Sequence, residues 1–154
     1  MSEDFLQEVA DKFIFKVKRG FLYTESDVWV KIQDDGSLIG ITDFLQKRGG
    51  DAVFVELPQK GKTLRRGDKI SSFETIKAIV PVTSPLDGVV ADVNSTLSDK
   101  PELINEDPYG DGWFVLVSPF HLEEDRQYLM TAEKYFELMK LKLKELRKDS
   151  KREV

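Results

Sequence analysis

The chain contains no cysteine and a single histidine, His121. The first absence excludes disulfide scaffolding, thiolate catalysis and zinc–cysteine sites. The second excludes a multi-histidine metal centre and leaves a Ser-His-Asp triad only one residue to recruit. No glycine-rich phosphate loop is present. No apolar run approaches the roughly 20 residues needed to span a bilayer. An excess of positive charge is also missing: the formal net charge is −5, which argues against nucleic acid as the main partner, because phosphate selects basic surfaces. Met1-Ser2-Glu3-Asp4 is acidic where a secretory leader is basic, so no leader is expected and the location is read as cytoplasmic, with no membrane partner. These absences disfavour an enzyme with its own protein-based active site and favour a non-catalytic carrier or binding role.

What remains is a chain of 154 residues, 40% hydrophobic and 33% charged. That is enough for one core with a helical appendage. Phe5, Leu6, Val9 and Phe13 fit the spacing of a short amphipathic helix over Glu3–Phe13. Phe13–Thr24 then alternates and competes as strand and turn. From Tyr23 the pattern is β. Val28–Ile32 and Leu38–Thr42 flank a turn with Gly36, and Ala52–Leu57, Gly88–Asn94 and Trp113–Ser118 read as further strands. Asp43–Gly50 reads as a short helix capped by Asp43 and ended by Gly49-Gly50. Ser98–Gly112 reads as a long acidic connection rich in Pro and Gly. His121 stands at a helix entry, as a surface or capping residue. Ala132, Tyr135, Phe136, Met139, Leu143 and Leu146 recur at helical spacing, ahead of a basic tail expected to fray. The architecture expected is mainly β, a small sandwich or barrel with flanking helices at both ends.

One lysine stands apart. Lys77 lies in "SSFETIKAIVPVTSPLDGVV" (residues 71–90), between two β-rich runs, yet the reversal there contains no Asn-Gly, Asp-Gly or glycine. A hairpin tip without turn chemistry is a local inconsistency of the kind found at functional sites. A lysine ε-amine on a flexible stem suits amide linkage to a carrier arm such as lipoate or biotin. Taken on "ETIKA" alone, an ordinary exposed lysine explains as much.

Five ordered blocks extend the signal. "YTESDVWVKI", "IGITDFLQKRGGDAVFVELPQKG", "FETIKA" followed by "SPLDGVVADVN", "KPELINEDPYGDGW" and "LMTAEKYFELM" resemble the glycine cleavage system H protein family over most of Tyr23–Leu138. The resemblance implies a barrel-sandwich hybrid lipoyl domain over residues 23–120, preceded by an N-terminal extension (1–22) and followed by a C-terminal helix and basic tail (121–154). It implies covalent lipoate on Lys77, with Glu74 and Gly88 helping the lipoylating enzyme recognise it. Biotin is the competing cofactor on this fold, but methionines flank the lysine of biotin carriers, and here Ile76 and Ala78 do. The implied partners are glycine decarboxylase, aminomethyltransferase and dihydrolipoamide dehydrogenase.

Two positions depart from the family pattern. Ser26-Asp27-Val28-Trp29 has Val28 where a carboxylate is usual, and Pro81 replaces an aspartate after the lysine. Ser26, Val28 and Pro81 are therefore the candidate arm-pocket residues, and two of them lack the charge that would balance a cationic load. Strand alternation puts Asp27 on the opposite face from Val28. Drift within the family explains this. So does service in another lipoate-dependent pathway, such as sulfur-compound oxidation with its own analogous enzymes. A third reading is a non-lipoylated interaction protein. Glu102, Glu106, Asp107 and Asp111 either steer basic partner faces or serve solubility.

Overall fold

A computed structural model describes residues 4–152 in backbone, with side chains to Asp149. The elements in chain order are β1 (Phe5–Ala10), β2 (Phe13–Lys18), β3 (Leu22–Tyr23), β4 (Val28–Gln33), β5 (Gly36–Ile41), α1 (Asp43–Gly49), β6 (Phe54–Glu56), β7 (Thr63–Leu64), β8 (Lys69–Glu74), β9 (Ile79–Thr83), β10 (Gly88–Val93), α2 (Thr96–Asp99), α3 (Leu103–Glu106), β11 (Val115–Pro119), α4 (Leu122–Arg126) and α5 (Ala132–Arg152). Every strand pair is antiparallel. The strands form a six-stranded sheet in the order β3-β4-β5-β11-β10-β7, a three-stranded sheet β6-β8-β9 and the separate hairpin β1-β2.

The two larger sheets enclose the first core. Val28, Ile39, Ile41, Leu64, Val90, Val115 and Val117 face Val55, Ile70, Phe73 and Val82, all buried. Alternation along β4 then builds a second core: Val28 enters the first cluster, while Trp29 enters another with Tyr23, Phe44, Tyr135 and Met139. Each such fully buried side chain contributes about 1.5–3 kcal/mol of transfer free energy. A close approach anchors the seam. Gly40 pairs with Trp29 across β4 and β5, and a Cβ there would lie 2.4 Å from the indole ring. The Trp29 Nε1–H donates to Pro108 O at 2.9 Å, so the indole is paired as well as buried.

The N-terminal helix expected over Glu3–Phe13 is a hairpin instead; Glu3 itself lies outside the described residues. Six pairs run from Phe5↔Lys18 to Ala10↔Phe13 around the two-residue loop Asp11-Lys12. Asp11 takes the left-handed conformation (φ 55°) that such a loop needs and that Asp tolerates. The alternation of Phe15 and Val17, both buried against α5 and Phe44, decided the pairing. The N-terminal end of the chain therefore contributes a hairpin where a helix was expected, and that hairpin packs against the C-terminal helix α5.

Three smaller expectations also change. Thr42, not Asp43, caps α1, its hydroxyl accepting from Leu45 N. Asp43 instead accepts from Lys16 N, Gln46 Nε2 and Lys47 Nζ, at 2.9, 2.8 and 2.8 Å, and so ties β2 to α1. Two single-turn helices stand where a long acidic connection was expected, α2 straddling its start and α3 within it, each dropping one buried side chain, Leu97 or Ile104, into the first core. The basic tail stays helical to Arg152, because Met139, Leu143 and Leu146 continue the apolar stripe onto β1 and β2; residues 153–154 lie outside the described part.

α5 is locked to the sandwich by a buried polar chain. Tyr135 Oη donates to Asp27 Oδ1 at 2.7 Å and lies 3.0 Å from the Thr42 hydroxyl, and Lys142 Nζ donates to the same Asp27 oxygen at 2.8 Å. Burial pushes the Tyr135 phenol well above its usual range, with Asp27 adding to the shift, so it remains a donor. The Tyr23 and Tyr135 rings stack with centroids 4.7 Å apart.

Candidate functional site

Lys77 occupies the reversal between β8 and β9. Register places Glu74 opposite Ile79, and Thr75 N donates to Ala78 O at 2.8 Å, leaving Ile76 and Lys77 as the tip. Neither tip residue has a positive φ. The missing turn chemistry comes from a side chain: the Thr75 hydroxyl accepts from Lys77 N at 3.3 Å and from Ala78 N at 3.2 Å. This is an ST turn, in which a hydroxyl replaces a backbone acceptor. Sequence reading missed Thr75; the signal was a threonine two residues before the lysine. The tip therefore needs no glycine, whose freedom would loosen it.

The lysine is exposed and enters no ion pair among the described residues. Its stem leans over the end of α1: a Cβ placed on Gly50 would stand 3.5 Å from the Lys77 Cε. Gly50 has φ 95° and closes α1 by donating to Gln46 O. Asn105 of α3 fixes that segment from below, donating to Gly50 O and accepting from Ala52 N, both at 2.9 Å. An apolar surface surrounds the tip. Ile76 is 97% exposed, Ile79 67%, and Phe54, which faces Glu74 on β6, 54%. Isolated exposed apolar residues are ordinary, but a group beside one unpaired amine marks an interaction surface.

The other candidates separate into distinct places. Glu74 is half-buried at the end of β8, with Phe54 on one side and Ile79 on the other. Gly88 is buried between β7 and β11, and a Cβ there would lie 2.4 Å from Ser118 O and 2.6 Å from a Val117 methyl. Close packing alone thus demands glycine at 88. Ser26 is exposed in the turn before β4, Pro81 is exposed on β9 opposite Ser72, and Val28 is wholly buried in the first core. They do not converge on one surface. Val28 has no exposed atoms with which to line a pocket in this conformation, because β5 pairs with it and the three-stranded sheet covers it. Asp27, the remaining carboxylate in that segment, is 5% exposed and committed to Tyr135 and Lys142. Asp107 likewise has a local task, accepting from Asp111 N at 2.8 Å. His121 stands at the N-cap of α4 without capping it; its ring contacts Asp87 instead.

A sandwich of short antiparallel sheets that lifts one exposed lysine on a hairpin tip defines a carrier domain of the barrel-sandwich hybrid class. Residues 21–142 match the family model described as glycine cleavage H-protein. The probable glycine cleavage system H protein of Pyrococcus horikoshii is 47% identical over 127 residues, which is 82% of this chain and 94% of the relative. Glycine cleavage system H protein 4 of Aquifex aeolicus is 40% identical over 129 residues, 82% of this chain and 73% of that one. The crystal structure of a glycine cleavage system H protein from Mycobacterium marinum superposes with a TM-score of 0.70 at 32% identity, covering 77% of this chain and 95% of that one. The chain belongs to the glycine cleavage H-protein family, whose members are lipoyl carriers. The sulfur-oxidation alternative finds no support among these relatives. The family match starts at residue 21, so the β1-β2 hairpin precedes it.

Proposed function

We propose that Lys77 bears a lipoyl group in amide linkage and that the protein presents this arm in turn to the enzymes of glycine cleavage. The observation that carries the reading is the exposed amine at the tip of an ST-turn hairpin, with Ile76, Ile79 and Phe54 exposed beside it. The lysine fits the group: it is a primary amine at a protruding tip, reachable by a modifying enzyme. When bound, lipoate supplies a dithiolane that accepts and releases a group by sulfur chemistry, which the cysteine-free chain cannot supply itself.

The protein's own residues hold and aim the arm. Thr75 sets the tip, Gly50 leaves room for the stem, and the exposed apolar residues give a lipoylating enzyme and the carrier's partners a surface to grip. Glu74, three residues before the lysine, offers the modifying enzyme a charged contact. Gly88 supports recognition indirectly, by keeping β10 tight against β11 and β7. The partners proposed are glycine decarboxylase, aminomethyltransferase and dihydrolipoamide dehydrogenase. Because Val28 and Pro81 bring no charge, a cationic load on the arm depends on solvent or on the partner for its counter-charge. Pro81, exposed on the same hairpin as Lys77, stays the candidate contact for a folded-back arm; Ser26 is a second, from the turn before β4.

Intact mass after co-expression with a lipoate ligase tests the attachment. The wild type should gain one lipoyl increment and Lys77→Arg none. An increment that survives in Lys77→Arg refutes the site, and no increment in either protein refutes the carrier role. Glycine-dependent loading by the decarboxylase then tests the pathway.

A further inference from the structure

We propose that Asp87, His121 and Asp125 form a binding site for one divalent transition cation of the zinc class, separate from the Lys77 hairpin and independent of the carrier reading. His121 and Asp125 stand four residues apart at the start of α4, so the helix brings both side chains to one face. Asp87 meets them from the loop between β9 and β10. The His121 Nε2 is 2.7 Å from Asp87 Oδ2 and 3.6 Å from Asp125 Oδ1, and the three donor atoms lie within 4.8 Å of one another.

Each carboxylate is braced by one oxygen and presents the other. Asp87 Oδ1 accepts from Arg66 N at 2.6 Å, and Asp125 Oδ2 accepts from Asp87 N at 2.9 Å. Asp125 lies deepest of the three: its side chain is 4% exposed, and its Oδ1 faces the His121 ring at 3.6 Å. Two carboxylates converging on one imidazole leave a corner where a divalent cation would meet charge of opposite sign. The Arg66 guanidinium is stacked over the Tyr128 ring at 3.5 Å. Backbone braces of this kind fix ligand orientation in metal sites.

The donor set names the class of ion. One imidazole nitrogen with two carboxylate oxygens suits zinc and its neighbours; magnesium and calcium favour all-oxygen shells. Zinc bonds of about 2.0–2.2 Å put tetrahedral donors about 3.3 Å apart. The 3.6 Å separation is close to that, and the 2.7 Å one widens by turning the imidazole, which is 39% exposed. Two carboxylates and a 2+ ion are neutral together, and the fourth position opens to solvent. The bound ion would staple the loop preceding Gly88 to α4.

The chain makes the test clean, since it has one histidine and no cysteine. Full-length, tag-free protein is stripped with chelator and titrated with zinc chloride at pH 7.5, by calorimetry and by the 15N signals of its one imidazole. One equivalent should bind, with the Nε2 resonance moving to a metal-bound position. His121→Ala should abolish binding, and Asp125→Asn should weaken it at least about tenfold; Asn retains an acceptor for Asp87 N, and Asp87→Asn serves if Asp125→Asn folds poorly by circular dichroism. Two results overturn the proposal. One is no heat and no imidazole shift at about tenfold excess zinc. The other is binding that needs only His121 and is unchanged in both Asn variants, as for any surface histidine.

Discussion

Thr75→Val keeps the shape of the side chain and removes the hydroxyl that makes the Lys77 turn. Two hydrogen bonds to tip amides are lost, and both are long, at 3.2 and 3.3 Å, in an exposed setting. Each is therefore assigned the low end of the usual net value, about 0.5 kcal/mol. Their sum, about 1 kcal/mol, corresponds to roughly a fivefold rise in the open population of the tip. The core is untouched, since Phe73 and Val82 lie inside the sandwich on either side. Amide exchange of Lys77 and Ala78, read by fast-exchange NMR at constant pH, should quicken about fivefold in Thr75→Val and stay near wild type in Thr75→Ser. The melting temperature should fall by no more than about 2–4 °C. The lipoylation rate should fall in Thr75→Val alone, because the modifying enzyme must re-order the tip on binding. Equal exchange in wild type and Thr75→Val would show that the hydroxyl does not organise the tip.

Gly88→Ala should cost about 1–3 kcal/mol in denaturant unfolding, as overpacking against Ser118 O and Val117, and its lipoylation defect should disappear when the comparison is made on folded protein. Lys142→Met leaves the buried Asp27 with Tyr135 alone and should lower stability by about 1.5–3 kcal/mol, the range for a hydrogen bond to a charged group. In chelated buffer, pH acts on the His121–Asp87 pair. The Asp87 hydrogen bond raises the His121 imidazole above 6.5, so its stabilising effect is full below that value and is lost as pH rises through the folded value. Asp87 is lowered below 3.8, first by the Arg66 amide and then by His121, so its effect is present above 3.8 and fades as pH falls through the folded value. The stability difference between wild type and His121→Ala should therefore be larger at pH 5.5 than at pH 8.5; a flat difference refutes the coupling.

Composition, strand patterning and the residues around Lys77 were legible from the chain alone, because they are local. A run such as Val28–Ile32 has β-branched residues at alternate positions whatever it packs against, and five ordered blocks carry the family likeness before any coordinate is known. The absence of cysteine already required that sulfur chemistry come from outside the chain. Pairing was not local. Phe5, Leu6, Val9 and Phe13 satisfy a helical spacing, and only the hydrophobic seat offered by α5 and Phe44 selected the hairpin. Strand alternation says only that Asp27 lies opposite Val28; its partners Tyr135 and Lys142, more than a hundred residues away, come from the fold. His121 met Asp87 by the same kind of long-range closure. Sequence thus singled out the lysine that the fold exposes at a hairpin tip. Tertiary structure decided which carboxylates remain available to other ligands, because a side chain's free valences depend on neighbours that only the folded chain supplies.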